Sequence, residues 1–176
     1  MKKKYFLFLA SLLFFCILLS AQEEQKMKVW SPAFGYGEEI PVKYSCDGAN
    51  ISIPIYFALL PEESRSLVLI MDDPDAPGGD FVHWVLYNIP ADSKFLPEDM
   101  TPLQIKKEDI REGLSNFGKI GYGGPCPPSG THRYYIRLYA LDIPSDFEPG
   151  LSRDDLLKRI KGHVLAEAKW MGLYSR

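Results

Sequence analysis

Short apolar runs, separated by glycine and proline residues, define the pattern of the chain. Residues 66–71 (SLVLIM) are continuously apolar, which predicts a central strand that is buried on both faces. Residues 82–89 (VHWVLYNI) predict the next strand, and residues 39–45 (EIPVKYS) alternate between polar and apolar positions, which also predicts a strand. Because these runs are rich in Val, Ile, Tyr and Phe, the pattern indicates a mainly-β fold.

Residues 132–142 (HRYYIRLYALD) show the clearest alternation in the second half of the chain. Side chains on a strand point alternately to its two faces. One face therefore carries His132, Tyr134, Ile136 and Leu138, and the other carries Arg133, Tyr135, Arg137 and Tyr139. Several strands joined by long loops predict a β-sandwich or a related mainly-β fold.

The apolar period changes near the C-terminus. Ser152 and Asp155 resemble the start of a helix with a capping side chain. Apolar residues then recur at helical spacing, at Leu156, Leu157, Ile160, Val164 and Ala168. Gly162 is a candidate break and Gly172 a candidate C-cap, so one or two helices are expected to close the chain.

The N-terminus has the features of a secretory signal peptide over residues 1–21. Three lysines precede an apolar run at residues 5–19, and small residues follow at Ser20 and Ala21. The run is short for a membrane span, which needs about 20 apolar residues. Residues 22–176 are then expected to form a single exported domain, periplasmic or extracellular. Loss of three lysines makes the formal net charge of −3 more negative, which argues against a nucleic-acid partner.

Cys46 and Cys126 form an even pair in the exported part, because Cys16 belongs to the predicted signal peptide. An even count in an oxidising compartment favours a disulfide. Two separate buried thiols remain the alternative.

Candidate chemistry is concentrated in residues 71–84 (MDDPDAPGGDFVHW). Asp73 precedes a proline, which disfavours helical dihedrals and holds it extended at the end of a strand. Asp75 lies two residues further on, and His83 starts the returning strand on the face predicted for Val85, Tyr87 and Ile89.

Four interpretations compete for these residues. A solvated acidic turn explains Asp72 and Asp80 best. A zinc site of histidines and aspartates is chemically acceptable, but no short metal-binding motif is present. A carboxylate pair for hydrolysis needs one carboxyl group protonated and one ionised. An anion pocket would use imidazolium donors held by the aspartates, with a tyrosine hydroxyl and N–H groups from a glycine- and proline-rich loop at residues 115–133.

Two segments resemble the signatures of the phosphatidylethanolamine-binding protein family. The first is DPDAP at residues 73–77 followed by His83, and the second is GTHRY at residues 130–134. The flanking CDG at residues 46–48, GPCPP at 124–128 and GHVLAEA at 162–168 are similar to its bacterial Raf-kinase-inhibitor-like branch. The resemblance extends from about Met27 to Arg176.

The resemblance implies a sandwich of two antiparallel sheets with a small anion-binding pocket at one end. It places Asp73, Asp75, His83, His132 and Tyr134 in the pocket, with Pro127 or Pro128 at the rim and Arg133 supporting the loops. Phe81 stands where eukaryotic members often carry a pocket tryptophan. The implied function is non-enzymatic binding, without cofactor or metal, of a phosphate-containing or anionic ligand such as a phospholipid head group.

Two other functions remain open. The protein is alternatively an interaction or inhibitor module that acts through surface loops on an envelope or secreted protease or another partner. It is otherwise a hydrolase that uses the Asp and His side chains. The resemblance also permits a homodimer.

Overall fold

The structure is a computed structural model, and it describes residues 26–176. Its elements are eight strands, two α-helices and one 3-10 turn, Val42–Tyr44. The strands are β1 (Lys28–Trp30), β2 (Ile55–Ala58), β3 (Ser66–Asp73), β4 (Phe81–Pro90), β5 (Phe95–Leu96), β6 (Arg111–Glu112), β7 (Thr131–Leu141) and β8 (Val164–Ser175). The helices are α1 (Pro102–Lys107) and α2 (Arg153–Arg159).

The strands form two antiparallel sheets. Three strands pair in the order β1-β2-β5, and five pair in the order β6-β4-β3-β7-β8. The expected β-sandwich of antiparallel sheets is therefore confirmed. The signal peptide predicted for residues 1–21 lies outside the described residues, and neither helix of residues 26–176 is long and apolar enough to cross a bilayer.

Strand β3 occupies the centre of the larger sheet, and every one of its residues is buried. Alternate side chains enter two apolar cores: Leu67, Leu69 and Met71 face the small sheet. Val68 and Ile70 lie on the opposite face, in a second core that includes Leu156 of α2. The prediction of a strand covered on both faces was correct because a helix packs on the side away from the small sheet.

Strand β7 has the predicted alternation. His132, Tyr134, Ile136 and Leu138 are buried, whereas the residues between them are exposed or half-buried. Its burial follows from its position between β3 and β8, where one face points into the core between the sheets.

Of the one or two helices expected near the C-terminus, one is present. Ser152 caps α2 by accepting a hydrogen bond from the Asp155 amide, but the helix ends at Arg159. Gly162, with a φ of +87°, turns the chain, and residues that include Val164 and Ala168 form β8 instead of a second helix. Pairing with β7 along eleven positions decides the conformation, and the helical spacing of a few apolar residues is coincidental.

Residues 39–45 do not form the predicted strand. Ile40 and Tyr44 are buried as the alternation suggests, but Val42 is 56% exposed and starts a 3-10 turn. This turn places Cys46 next to Cys126, and the two cysteines form the expected disulfide across 80 residues of sequence.

Candidate functional site

The candidate site lies where three neighbouring strands of the larger sheet meet. Asp73 at the end of β3 pairs with Phe81 at the start of β4. Asp72 pairs on its other side with Tyr135, near the start of β7. Antiparallel pairing therefore brings the two signature segments, far apart in sequence, to one end of the sandwich.

His83 is the extra residue of a β-bulge. Met71 pairs with Trp84, but the next residue of β3, Asp72, pairs with Val82, so His83 has no partner opposite it. A bulge bends a strand and redirects a side chain. The imidazole packs edge-on against Tyr134 at 5.1 Å between ring centroids, on the face of the sheet that also carries Ile89. Val85 and Tyr87 lie in the core on the opposite face, so the predicted shared face of His83 with these two residues was wrong.

Two carbonyl groups determine the tautomer of His83. Its Nδ1 lies 2.7 Å from the Gly123 oxygen and 3.1 Å from the Gly124 oxygen. Carbonyl oxygens only accept hydrogen bonds, so Nδ1 carries the proton. In the neutral ring Nε2 is then an acceptor. Burial lowers the pKa of His83 below its ordinary 6.5, which favours the neutral ring over the expected imidazolium at neutral pH.

His132 and Asp73 form a buried pair. The Nδ1 of His132 is 2.7 Å from Oδ2 of Asp73, and both side chains are less than a tenth exposed. The other carboxylate oxygen of Asp73 accepts a bond from the Asp75 amide at 2.8 Å. This second bond fixes the carboxylate, so the imidazole of His132 is oriented from the strand end.

Asp75 is held by Arg133 rather than left free. The guanidinium donates to both carboxylate oxygens, from Nε at 2.8 Å and from Nη2 at 2.6 Å, and the Arg133 amide adds a third bond. These bonds hold the pKa of Asp75 at about 2, below its ordinary 3.8. Arg133 thus clamps the two signature segments together, as expected from the resemblance.

Tyr134 has a buried hydroxyl without a partner. The residue is 0% exposed, and its oxygen makes no hydrogen bond of standard geometry within the described residues, although the Asp73 carboxylate and the Cys126 backbone lie near it. Buried hydroxyl groups are normally bonded, and leaving one unsatisfied costs about 1 to 3 kcal/mol. Burial raises the pKa of Tyr134, so the group is a neutral donor.

Aromatic rings cover His83 on the side of the solvent. Phe81 and Phe117 lie 5.1 and 5.2 Å from the His83 ring, and Phe117 remains 42% exposed. Gly123 passes directly under Phe117, and a Cβ at this position would force the Phe117 ring to move. The glycine-rich loop therefore both orients His83 and leaves room for its cover.

The predicted rim prolines and the two remaining aspartates differ in exposure. Pro127 is buried and Pro128 exposed, and the assignment of a rim to them stays a prediction. Asp80 is more than half exposed, as expected for a loop acid. Asp72 is not a loop acid: it is 3% exposed, and Arg137 donates to it from Nε at 2.7 Å. Its arginine lies 65 residues away in sequence, so the local pattern gave no sign of the pair.

Two features of the site were not predicted. The carbonyl groups of Gly123 and Gly124 have no side-chain signal, and only the richness in glycine pointed to that loop. The position of Phe117 depends on the turn at residues 115–119, where the Ser115 amide bonds to the Lys119 oxygen. Within residues 26–176, no group of three His, Cys, Asp or Glu residues is arranged to hold a metal ion.

Comparison with known proteins identifies the family. The sequence profile of the phosphatidylethanolamine-binding protein family matches residues 30–175. The chain belongs to this family. More specifically, it is similar to proteins of the UPF0098 type.

A UPF0098 protein of Methanothermobacter thermautotrophicus is 49% identical over 150 residues, which cover 85% of this chain and 99% of the relative. A crystal structure of a PEBP homologue from Chlamydia trachomatis matches with a TM-score of 0.81 at 40% identity, over 87% of this chain and 99% of the other. Escherichia coli YbcL, described as a member of the mammalian PEBP family, matches with a TM-score of 0.78 at 28% identity, over 86% and 99% of the two chains.

Proposed function

We propose that the protein binds a small phosphate-containing or anionic ligand at this site and does not transform it. The observation that carries the proposal is the unpartnered hydroxyl of Tyr134, which is buried beside the His83 ring. A donor that has lost its water and gained no protein partner is stabilised if a ligand oxygen accepts from it.

The two histidines complete the recognition of an anion in this proposal. Each is anchored through Nδ1, His83 by carbonyl groups and His132 by Asp73, so each has Nε2 left for a ligand. A protonated phosphate oxygen donates to a neutral Nε2, and a protonated ring donates to an unprotonated oxygen. Asp73 supplies negative charge nearby for an ammonium group, which favours a zwitterion such as the phosphoethanolamine head group.

Binding is favoured over hydrolysis by the state of the carboxylates. A hydrolytic pair needs one protonated carboxyl group near neutral pH. Asp75 has a pKa of about 2 and is clamped by Arg133, so it is a poor general acid. Asp73 is occupied by His132 and the Asp75 amide.

We further propose that the protein works outside the cytoplasm. The lysines and apolar run of residues 1–21 support export. The bond between Cys46 and Cys126 also supports an oxidising compartment, since disulfides persist there and are rare in the cytosol.

Calorimetric titration of the protein with phosphoethanolamine and with inorganic phosphate tests the proposal. We expect saturable binding that is weakened at least about tenfold by His132→Ala, because an anchored ligand contact is lost. His163→Ala is the matched control, since His163 is an exposed histidine that bonds to Asp142 away from the site. Equal binding by all three proteins, or no binding by any, would refute the assignment of the site.

The source of the ligand needs a second measurement. Co-sedimentation with phosphatidylethanolamine vesicles, compared with phosphatidylcholine vesicles, separates a lipid head group from a free phosphate compound. Retention on phosphatidylethanolamine vesicles but not on phosphatidylcholine vesicles identifies the lipid head group as the ligand. Binding of soluble phosphoethanolamine without retention on either vesicle identifies a free ligand.

A further inference from the structure

The free edges of the two sheets open on the same side of the molecule. Strand β8 is the last strand of the larger sheet and β1 the last strand of the smaller one, and the two pack against each other. Between them lies a groove of about 460 Å³, lined by residues 27–30, Tyr36 and residues 168–170. None of Asp73, His83, His132 and Tyr134 lines this groove.

Half of the β8 edge is already covered by the chain itself. Leu173 accepts a bond from the Ile40 amide and donates one to the Glu38 oxygen, and Met171 accepts one from the Gly37 amide. The outward-facing backbone groups of this strand therefore belong to odd-numbered residues. Strand alternation extends this to Lys169 and Glu167, because the pairing with β7 is unbroken from Ser175 to Ala166.

The other half of the edge is open. Within residues 26–176, no backbone group bonds to the outward side of Glu167 or Lys169. Val164 and Leu165, at the start of the strand, are 42% and 40% exposed. Unpaired strand edges with apolar side chains readily accept another strand, and peptide-binding domains use such edges for recognition.

The groove beside the edge carries its own unpaired donor. The Nε1 of Trp170 is buried and has no hydrogen-bond partner in the described part of the chain. Tyr36 packs edge-on against the Trp170 ring at 5.6 Å and is itself 59% exposed. A strand added to β8 would direct every second side chain toward this space, because side chains alternate between the faces of a sheet.

We propose that the β8 edge and the adjoining groove bind an extended peptide that adds a strand to the larger sheet. Its backbone pairs with Glu167 and Lys169, a large apolar side chain fills the groove, and a peptide carbonyl accepts from Trp170. Lys28 and Lys169 at the groove favour acidic residues at the ends of the peptide. This interaction is independent of the anion site.

A second copy of the chain is the alternative occupant of this edge. Antiparallel pairing of two β8 strands would place Ala168 and Trp170 of the added strand on the side of the groove, since Ala166, Ala168 and Trp170 share one face of the strand in the first copy. A separate peptide can instead direct a leucine or phenylalanine side chain into the groove and acidic residues toward Lys28 and Lys169. The positive charge at the groove therefore favours a peptide with acidic ends and large apolar residues at alternate positions.

Four synthetic peptides test the proposal: Ac-Asp-Thr-X-Thr-X-Thr-Asp-NH₂, with X as Val, Leu, Phe or Trp. We expect at least one to bind in calorimetry and to protect the Glu167 and Lys169 amides from hydrogen exchange. An isomer with both X residues adjacent is the control, because only one of them can face the groove. It should bind about tenfold more weakly, as one apolar contact is lost.

Two further changes isolate the edge. Glu167→Pro removes an outward N–H and is compatible with an edge strand, so it should weaken binding about tenfold, whereas Glu167→Ala keeps the N–H and should not. If the proline variant fails to fold, the same peptide with methyl groups on alternate backbone nitrogens should lose binding to the unchanged protein.

Three results would overturn the proposal. The first is that none of the four peptides binds at millimolar concentration. The second is that peptide binding survives both backbone changes. The third is a dimer in sedimentation velocity that Glu167→Pro dissociates, which would assign the edge to a second copy.

Discussion

Binding of a dianion at the candidate site is expected to take up a proton, and His83 is the group that receives it. Its Nδ1 proton is committed to Gly123, so only Nε2 can gain a proton. Asp73, Asp72 and the Tyr134 ring face this imidazole, and the two carboxylates favour its protonated form. Burial outweighs them and lowers the pKa below 6.5.

The size of the effect follows from that pKa. At about pH 7.5, fewer than roughly one His83 ring in ten is protonated in the free protein. Sulfate carries no proton in this range, so a sulfate bound through Nε2–H must bring the ring to its charged form. Uptake should approach about 0.9 proton per sulfate, and the affinity should fall about tenfold per pH unit above the lowered pKa.

Calorimetry in buffers with different ionisation enthalpies measures this uptake directly. The His83→Gln variant is the matched control, because its amide places a permanent donor near the position of Nε2. Its sulfate affinity should hardly change with pH, and its uptake should vanish. Wild-type sulfate binding without uptake and with constant affinity, or uptake that persists in the variant, would show that His83 is not the proton acceptor.

Three other changes probe the supports of the site. Tyr134→Phe should leave the free energy of unfolding unchanged or raise it by about 1 kcal/mol, because it removes an unsatisfied hydroxyl. The same change should weaken phosphate binding about tenfold in calorimetry. A large loss of stability would reveal a partner for that hydroxyl. Asp75→Asn should lower stability to urea by about 1 kcal/mol near neutral pH, a modest value because Arg133 is half exposed. The folded pKa is depressed, so this difference should disappear as pH falls from 3.8 to about 2, and a difference that survives at lower pH would contradict it. Replacing Cys46 and Cys126 together by serine should cost about 4 to 5 kcal/mol by chain entropy across 80 residues, and an unchanged urea midpoint would contradict that estimate.

The parts of the fold that depend on strong local patterns could be predicted from the sequence. The apolar run in β3 and the alternation in β7 are direct consequences of burial on two faces and on one face. Asp73, His83 and His132 do lie together at one end of the sandwich, because their strands pair in the central sheet. Whether they bind a ligand remains a prediction.

Features that depend on contacts between residues distant in sequence could not be predicted from the sequence. Strand β8 is determined by its pairing with β7, which outweighs the helical spacing of its apolar residues. The bulge at His83 leaves no mark on the alternation, so the direction of the imidazole was assigned wrongly. Asp72 looked like its acidic neighbours until Arg137 was placed beside it across the sheet.

The pairing of Asp73 with His132 across 59 residues also determines when the site forms during folding. Strands β3 and β4 are joined by a short turn, so Asp73 and His83 can meet early in a local hairpin. His132 joins them only when β7 docks, after the entropy of a long loop has been overcome. A ligand that needs both histidines therefore recognises a nearly finished sheet: it should slow unfolding and leave the refolding rate unchanged.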